Sequence, residues 1–224
     1  MSRTITFIRY GFYTLTQFSG TSLFFLALIG VFLSSPAGSS IADGKVFPKG
    51  SVSTKTMSKS DIERARNYFT DTELTTHEGN KVRFYSDVLD ERIVMINVIY
   101  TNCKGSCPLL TQKLSQVSRE LGELYGKSIH FVSITNDAER DTPEALSEFA
   151  RKQGVNLDGW TFLTGPKANV DGVIKKIGLY TPKFEQHKAM ILLGNTRTGH
   201  WQKVQPNVPY QAIAVKLKEL AGGA

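Results

Sequence analysis

RIVMINVIYTNCKGSCPLLTQKL, residues 92–114, decides the fold. Its first part is a continuous run of mostly β-branched apolar residues, the mark of a strand buried on both faces. From Pro108 the apolar residues recur at Leu109, Leu110, Leu114, Val117, Leu121 and Leu124, which is helical spacing. Between the two lies a loop with the only cysteines of the chain, Cys103 and Cys107. The stretch therefore reads strand, cysteine loop, helix.

Working outward, SIHFVSI is a second buried strand, and Thr142-Pro143 opens a helix with Thr142 as cap and Pro143 in first position. WTFLTG is a third strand and ANVDGVIKKIGL a third helix. AMILLGNTRTGHWQKV is a hairpin turning at Thr198-Gly199, and YQAIAVKLKEL a closing helix. Upstream, SDIERARNYF predicts a short helix capped by Ser60, and ELTTHEGNKVRFYSDVL two short strands around a Glu78-Gly79-Asn80 turn. Strands alternating with helices and ending in a hairpin give an α/β fold, a central mixed sheet flanked by helices. With the cysteines at the mouth of the first strand–helix unit, the expected fold is thioredoxin-like.

Pro108 fits the first turn of a helix and places Cys107 near the N-cap, where free backbone donors and the helix dipole favour a thiolate. Lys104 adds positive charge, and Gly105 gives the loop room to bring the sulfurs together. Low thiol pKa values at an exposed strand end are the expectation. Three uses of the pair stand side by side. A structural disulfide would close a tiny loop and restrain the unfolded chain little. A thiol–disulfide oxidoreductase usually has two residues between its cysteines, not three. A metal site needs a further ligand. Zinc would want four protein ligands, and no second cysteine pair or HxxxH exists, whereas two thiolates and one imidazole suit copper.

Four histidines are available. His77 falls in a hairpin turn and reads as a solvated loop residue. His130 sits in a buried-strand pattern and reads as packed or at an edge. His200 lies beside Trp201, which points to packing. His187, in KFEQHKAMILL just before a strand, lies in the loop that a thioredoxin-like fold brings opposite the first helix's start, and is the candidate ligand.

The first 42 residues differ from the rest. Arg3 and Arg9 are their only charges, Phe18–Leu33 is apolar, and SSPAGSSIA ends with Ser40 and Ala42 at the −3 and −1 positions of a cleavage site. The expectation is a signal peptide over 1–42, or an uncleaved anchor, although the apolar run is shorter than the roughly 20 residues of a spanning helix. Residues 43–66 follow as linker and 67–224 as the folded domain, exported to the periplasm with a membrane tether as the alternative. Net charge is +7, and without Arg3 and Arg9 it is +5, spread among acidic residues. A clustered basic face is lacking in the sequence, which argues against nucleic-acid binding.

From about Phe69 to Leu220 the chain resembles the Sco/SenC family, thioredoxin-like copper-binding assembly factors for cytochrome c oxidase. The likeness rests on YTNCKGSCP against the family's CxxxCP loop, NDAERDTPEAL against its DPxxDTPE segment, WTFLTG, and a histidine before the final hairpin. The resemblance implies copper bound by Cys103, Cys107 and His187, with Asp137 as the acidic residue near the site. It implies a metallochaperone that delivers copper to, or maintains the thiols of, an oxidase copper site. Its partners would be a copper-accepting oxidase subunit and a copper donor protein. An exported thiol–disulfide oxidoreductase is the alternative. Lys104-Gly105 stands where the family often has Pro-Asp, and Gln186 precedes His187 where the family commonly has Asp.

Overall fold

A computed structural model describes residues 57–181 and 189–222. In chain order these form α1 (Lys59–Phe69), β1 (Glu73–Thr76), β2 (Lys81–Arg83), a π-helical turn (Phe84–Leu89), β3 (Ile93–Ile99), α2 (Ser106–Leu121) and β4 (Ile129–Thr135). They continue with α3 (Pro143–Lys152), β5 (Trp160–Thr164), α4 (Lys167–Lys176), β6 (Ile191–Asn195), β7 (His200–Val204) and α5 (Tyr210–Leu220). The strands make one seven-stranded sheet in the order β2-β1-β5-β4-β3-β6-β7. β3, β4 and β5 are parallel, while β1, β6 and β7 join antiparallel. The mixed α/β architecture is the one expected.

Every residue of β3 is buried because helices cover both faces of the sheet. Ile93, Met95 and Ile99 face a core with Leu114 of α2, Phe131, Trp160 and Ile213 of α5. Val94, Ile96 and Val98 face the opposite core with Phe84, Tyr85, Leu163 and Ile174 of α4. Period-two alternation thus splits one continuous apolar run between two cores. Burying one such side chain contributes about 1.5–3 kcal/mol. A polar thread crosses the first core: Ser133 Oγ donates to Asn97 Oδ1 at 2.7 Å and accepts from Trp160 Nε1 at 2.9 Å. These bonds satisfy the Ser133 hydroxyl, Asn97 Oδ1 and the indole N–H inside the sheet, while Asn97 Nδ2 finds no partner among the described residues.

Two local expectations change. The cap of α1 is Ser58, not Ser60: Ser58 Oγ accepts from the Asp61 N–H, and Asp61 Oδ2 accepts from the Ser58 N–H. That reciprocal pair satisfies two orphan donors at once, which Ser60 cannot do from inside the helix. The helix begins within the 43–66 stretch and packs on the domain through Phe69, whose ring lies 4.8 Å from that of Trp201. Second, FYSDVL does not continue β2 but winds into the π-helical turn, burying Phe84, Tyr85, Val88 and Leu89 together. The hairpin β6–β7 forms as expected and is pinned by a glycine: Gly194 stands opposite Trp201, and a Cβ there would lie 2.2 Å from the indole. Trp201 lies flat across the space a side chain would take. The turn itself uses Gly199 at φ +71°, a left-handed conformation that favours glycine. None of the helices among the described residues is long and apolar enough to cross a membrane.

Candidate metal centre

β3 delivers the chain to the cysteine loop at the edge of the sheet's parallel core. The Cys103 N–H donates to the Tyr100 carbonyl at 3.2 Å, closing a turn straight after the strand. α2 then starts at Ser106, so Cys107 is the second helical residue and Pro108 the third. Gly105 is the cap residue at φ −123°, and a Cβ on it would stand in open space.

Both cysteines are unbridged and buried, with exposures of 8% for Cys103 and 3% for Cys107. They are not at an exposed strand end. The Cys107 N–H, one of the free donors of the helix start, donates to Cys103 Sγ at 3.4 Å. This keeps the expected lowering at Cys103 and overturns it at Cys107. At Cys103 burial works against ionisation, but hydrogen bonds from the Cys107 thiol, the Cys107 and Gly105 N–H groups and the Tyr100 side chain outweigh it and lower the pKa. Cys107 is pushed up to about 12, first by burial, then by its hydrogen bond to Cys103 and the charge that Cys103 carries. The helix end stabilises a thiolate, but on the preceding cysteine. At position two the backbone N–H points out of the helix toward Cys103, while the Cys107 side chain turns into the core beside Leu110 and Leu114.

Asp137 is buried, and its carboxylate accepts from Arg140 Nε at 2.7 Å. The carboxylate that reaches the cysteine loop is Asp141. Fully buried, it accepts from the Thr101 N–H at 3.0 Å, from the Thr101 hydroxyl, and from Thr135 Oγ1 at 2.5 Å. In the sequence this residue is part of the NDAERDTPEAL likeness, but the acidic role was given to Asp137. Its signal was present in the Asp-Thr-Pro start of α3, where an acidic residue directly before a cap threonine has no helical role of its own.

His187 lies outside the described residues. His77, expected to be solvated, is buried: its Nδ1 accepts from the Phe162 N–H at 3.3 Å, and its ring sits edge-on to Phe162 at 6.0 Å. Burial lowers its pKa. The reason is tertiary, because β5 pairs with β1 and brings Phe162 over the turn. His130 is half-buried on the central strand β4, not at an edge, with Nε2 3.2 Å from the Lys127 carbonyl. His200 is exposed, and only its neighbour Trp201 packs. Among the described residues no three His, Cys, Asp or Glu side chains gather as a metal cluster. The two thiols form a soft, nearly dry two-donor set, which fits a cuprous ion better than a hard cation.

A SCO1/SenC family model matches residues 61–222. The chain belongs to the SCO1/SenC family. The SCO1 protein homolog of Bacillus subtilis (strain 168) is 30% identical over 88 residues, covering 39% of this chain and 44% of that protein. The match thus spans less than half the length of that curated relative. In three dimensions, the copper-bound structure of Bradyrhizobium japonicum ScoI is similar at TM-score 0.56 and 25% identity, covering 66% of this chain and 96% of that one. BsSco, a member of the Sco family of cytochrome c oxidase assembly proteins with a disulfide switch, is similar at TM-score 0.58 and 23% identity, covering 67% and 91%. The SCO1/SenC fold is thioredoxin-like, as the sequence led one to expect.

Proposed function

We propose that this SCO1/SenC protein is a metallochaperone whose cargo is one copper ion, held by Cys103, Cys107 and His187. It delivers copper to, or keeps reduced the thiols of, the copper site of a respiratory cytochrome c oxidase. The observation that carries the reading is the pair itself: two unbridged, buried thiols at the start of α2, with the Cys107 N–H donating to Cys103 Sγ. Cuprous ion is satisfied by two thiolates, and the harder cupric ion gains more from an added imidazole, which is the role given to His187. Binding releases the Cys107 proton, so affinity rises with pH. Competition of the reduced protein against a cuprous chelator tests the reading. One copper per chain is expected, and a Cys103→Ser, Cys107→Ser double variant that still holds one copper overturns it.

The partners that fit are a copper-accepting oxidase subunit and a copper donor protein. Residues 1–42, with Arg3 and Arg9 ahead of an apolar run, would export the domain to the periplasm or anchor it, with the stretch before α1 as tether. Amino-terminal sequencing of the mature protein distinguishes the two, since cleavage after Ala42 leaves Asp43 first.

A second reading, an exported thiol–disulfide oxidoreductase, is favoured by one feature. Cys103 has a lowered pKa and a thiol partner within hydrogen-bond reach, which is what an attacking and a resolving cysteine need. Metal-free turnover of a disulfide substrate would select it.

A further inference from the structure

We propose that Asp141 is the positioning residue of the cysteine loop, acting through Thr101 to set where Cys103 stands. The proposal rests on the copper reading only for one of its two readouts.

Asp141 is fully buried, which is costly for a carboxylate unless its oxygens are filled. Three donors fill them, and two belong to one residue, Thr101, through its N–H and its hydroxyl. Thr101 lies two residues before Cys103, in the turn that leaves β3. The third donor is Thr135 at the end of β4, the strand beside β3. Behind it, the Asp141 N–H donates to the Asp137 carbonyl at 2.9 Å, and Thr142 caps α3 by accepting from the Ala145 N–H at 3.2 Å. One side chain thus fastens the cysteine loop to two other elements, the end of β4 and the start of α3.

Lys104, Gly105 and Ser106 are exposed, and Gly105 makes no side-chain cap. Charge-assisted bonds to Asp141 are about twice as strong as neutral ones. Thr101 held at two points leaves the Tyr100–Cys103 turn few ways to move. Cys103 Sγ is then held where the Cys107 N–H and thiol reach it. An amide at position 141 cannot reproduce this. Its one oxygen carries no charge, and its N–H is met only if the Thr101 hydroxyl turns from donor to acceptor, so the charge-assisted hold on Thr101 is lost.

The test compares wild type, Asp141→Asn, Thr101→Val and Val173→Ala. The last truncates a buried α4 side chain in the opposite core and serves as a control for lost stability. The first readout needs no metal: the rate at which iodoacetamide modifies Cys103 in the reduced protein, read by peptide mass. Asp141→Asn should raise it roughly fivefold as the buried sulfur is released. The second is cuprous affinity by chelator competition, which should fall about tenfold, as when an outer partner of a metal ligand is removed. Thr101→Val, which keeps its N–H bond, should move both readouts the same way by less. Val173→Ala should leave both within about twofold at equal loss of Tm. If Asp141→Asn does not fold, Thr101→Val decides alone. Wild-type modification rates in the folded Asp141→Asn or Thr101→Val protein overturn the proposal, as does an equal change in Val173→Ala. If wild type binds no copper, the copper reading fails while the modification rates still decide the role of Asp141.

Discussion

The Cys107 N–H points at Cys103 Sγ from 3.4 Å, so the donor end of α2 serves the sulfur that precedes the helix and not the one inside it. The pair is consequently unequal: one thiol eased toward ionisation, the other held as a thiol. A metal or a disulfide partner meets Cys103 as the ready nucleophile and must take the proton from Cys107.

This inequality predicts selective modification. At pH 8 the pKa of about 12 leaves Cys107 with a thiolate fraction on the order of one in ten thousand. Limited iodoacetamide treatment of the reduced protein should label Cys103 before Cys107 by at least about tenfold, read by peptide mass. Equal labelling would mean that the hydrogen bond does not polarise the pair.

The same raised value sets a pH dependence of stability. Above about pH 9 the unfolded Cys107 loses its proton while the folded one keeps it, so the unfolded state binds fewer protons and stability falls as pH rises. Cys103, lowered in the fold, gains its stabilisation as pH rises toward about 9 and keeps it in full above, so it adds none of the slope there. Between pH 9 and 11 the urea-unfolding free energy of metal-free wild type should fall by up to about 1.4 kcal/mol per pH unit more than that of Cys107→Ser. Parallel curves would contradict the burial argument.

Gly194 carries a steric prediction. A Cβ there would stand 2.2 Å from the Trp201 ring, and that ring also packs on Phe69. Gly194→Ala should cost about 1–3 kcal/mol in urea unfolding and loosen α1, since displacing the indole strips Phe69 of its contact. Unchanged stability would show that the hairpin can shift to admit a methyl group.

Ser133 tests the buried polar thread. Ser133→Ala leaves the Trp160 indole N–H and the Asn97 carbonyl without partners inside the core, at a cost of about 1–3 kcal/mol. A value below half of that would mean that the two groups find each other once the hydroxyl is gone.

What was legible in the sequence had a local cause. β3 could be read because a run buried on both faces must be apolar throughout, and α3 because Thr142 and Pro143 are its cap and first turn. What was missed depends on residues far along the chain. His77 is buried because Phe162, 85 residues away, lends it an N–H. Asp141 stood in the quoted NDAERDTPEAL segment but was given no role, because its partner Thr101 lies 40 residues upstream. The raised value at Cys107 was missed because, with the cap at Gly105 and Cys107 at the second helical position, its N–H turns to Cys103 while its sulfur is buried. Ser58 was passed over for Ser60 although the reciprocal Ser58–Asp61 pattern was there to read.

Copper bound through the two cysteines is the central claim, and cuprous titration of reduced wild type, Cys103→Ser, Cys107→Ser and His187→Ala tests it most directly. The account predicts one copper per wild-type chain and near-complete loss in either serine variant. His187→Ala should keep most cuprous binding and lose cupric binding, because an imidazole matters less to the softer ion. Wild-type copper content in either serine variant, read by elemental analysis after desalting, would contradict it.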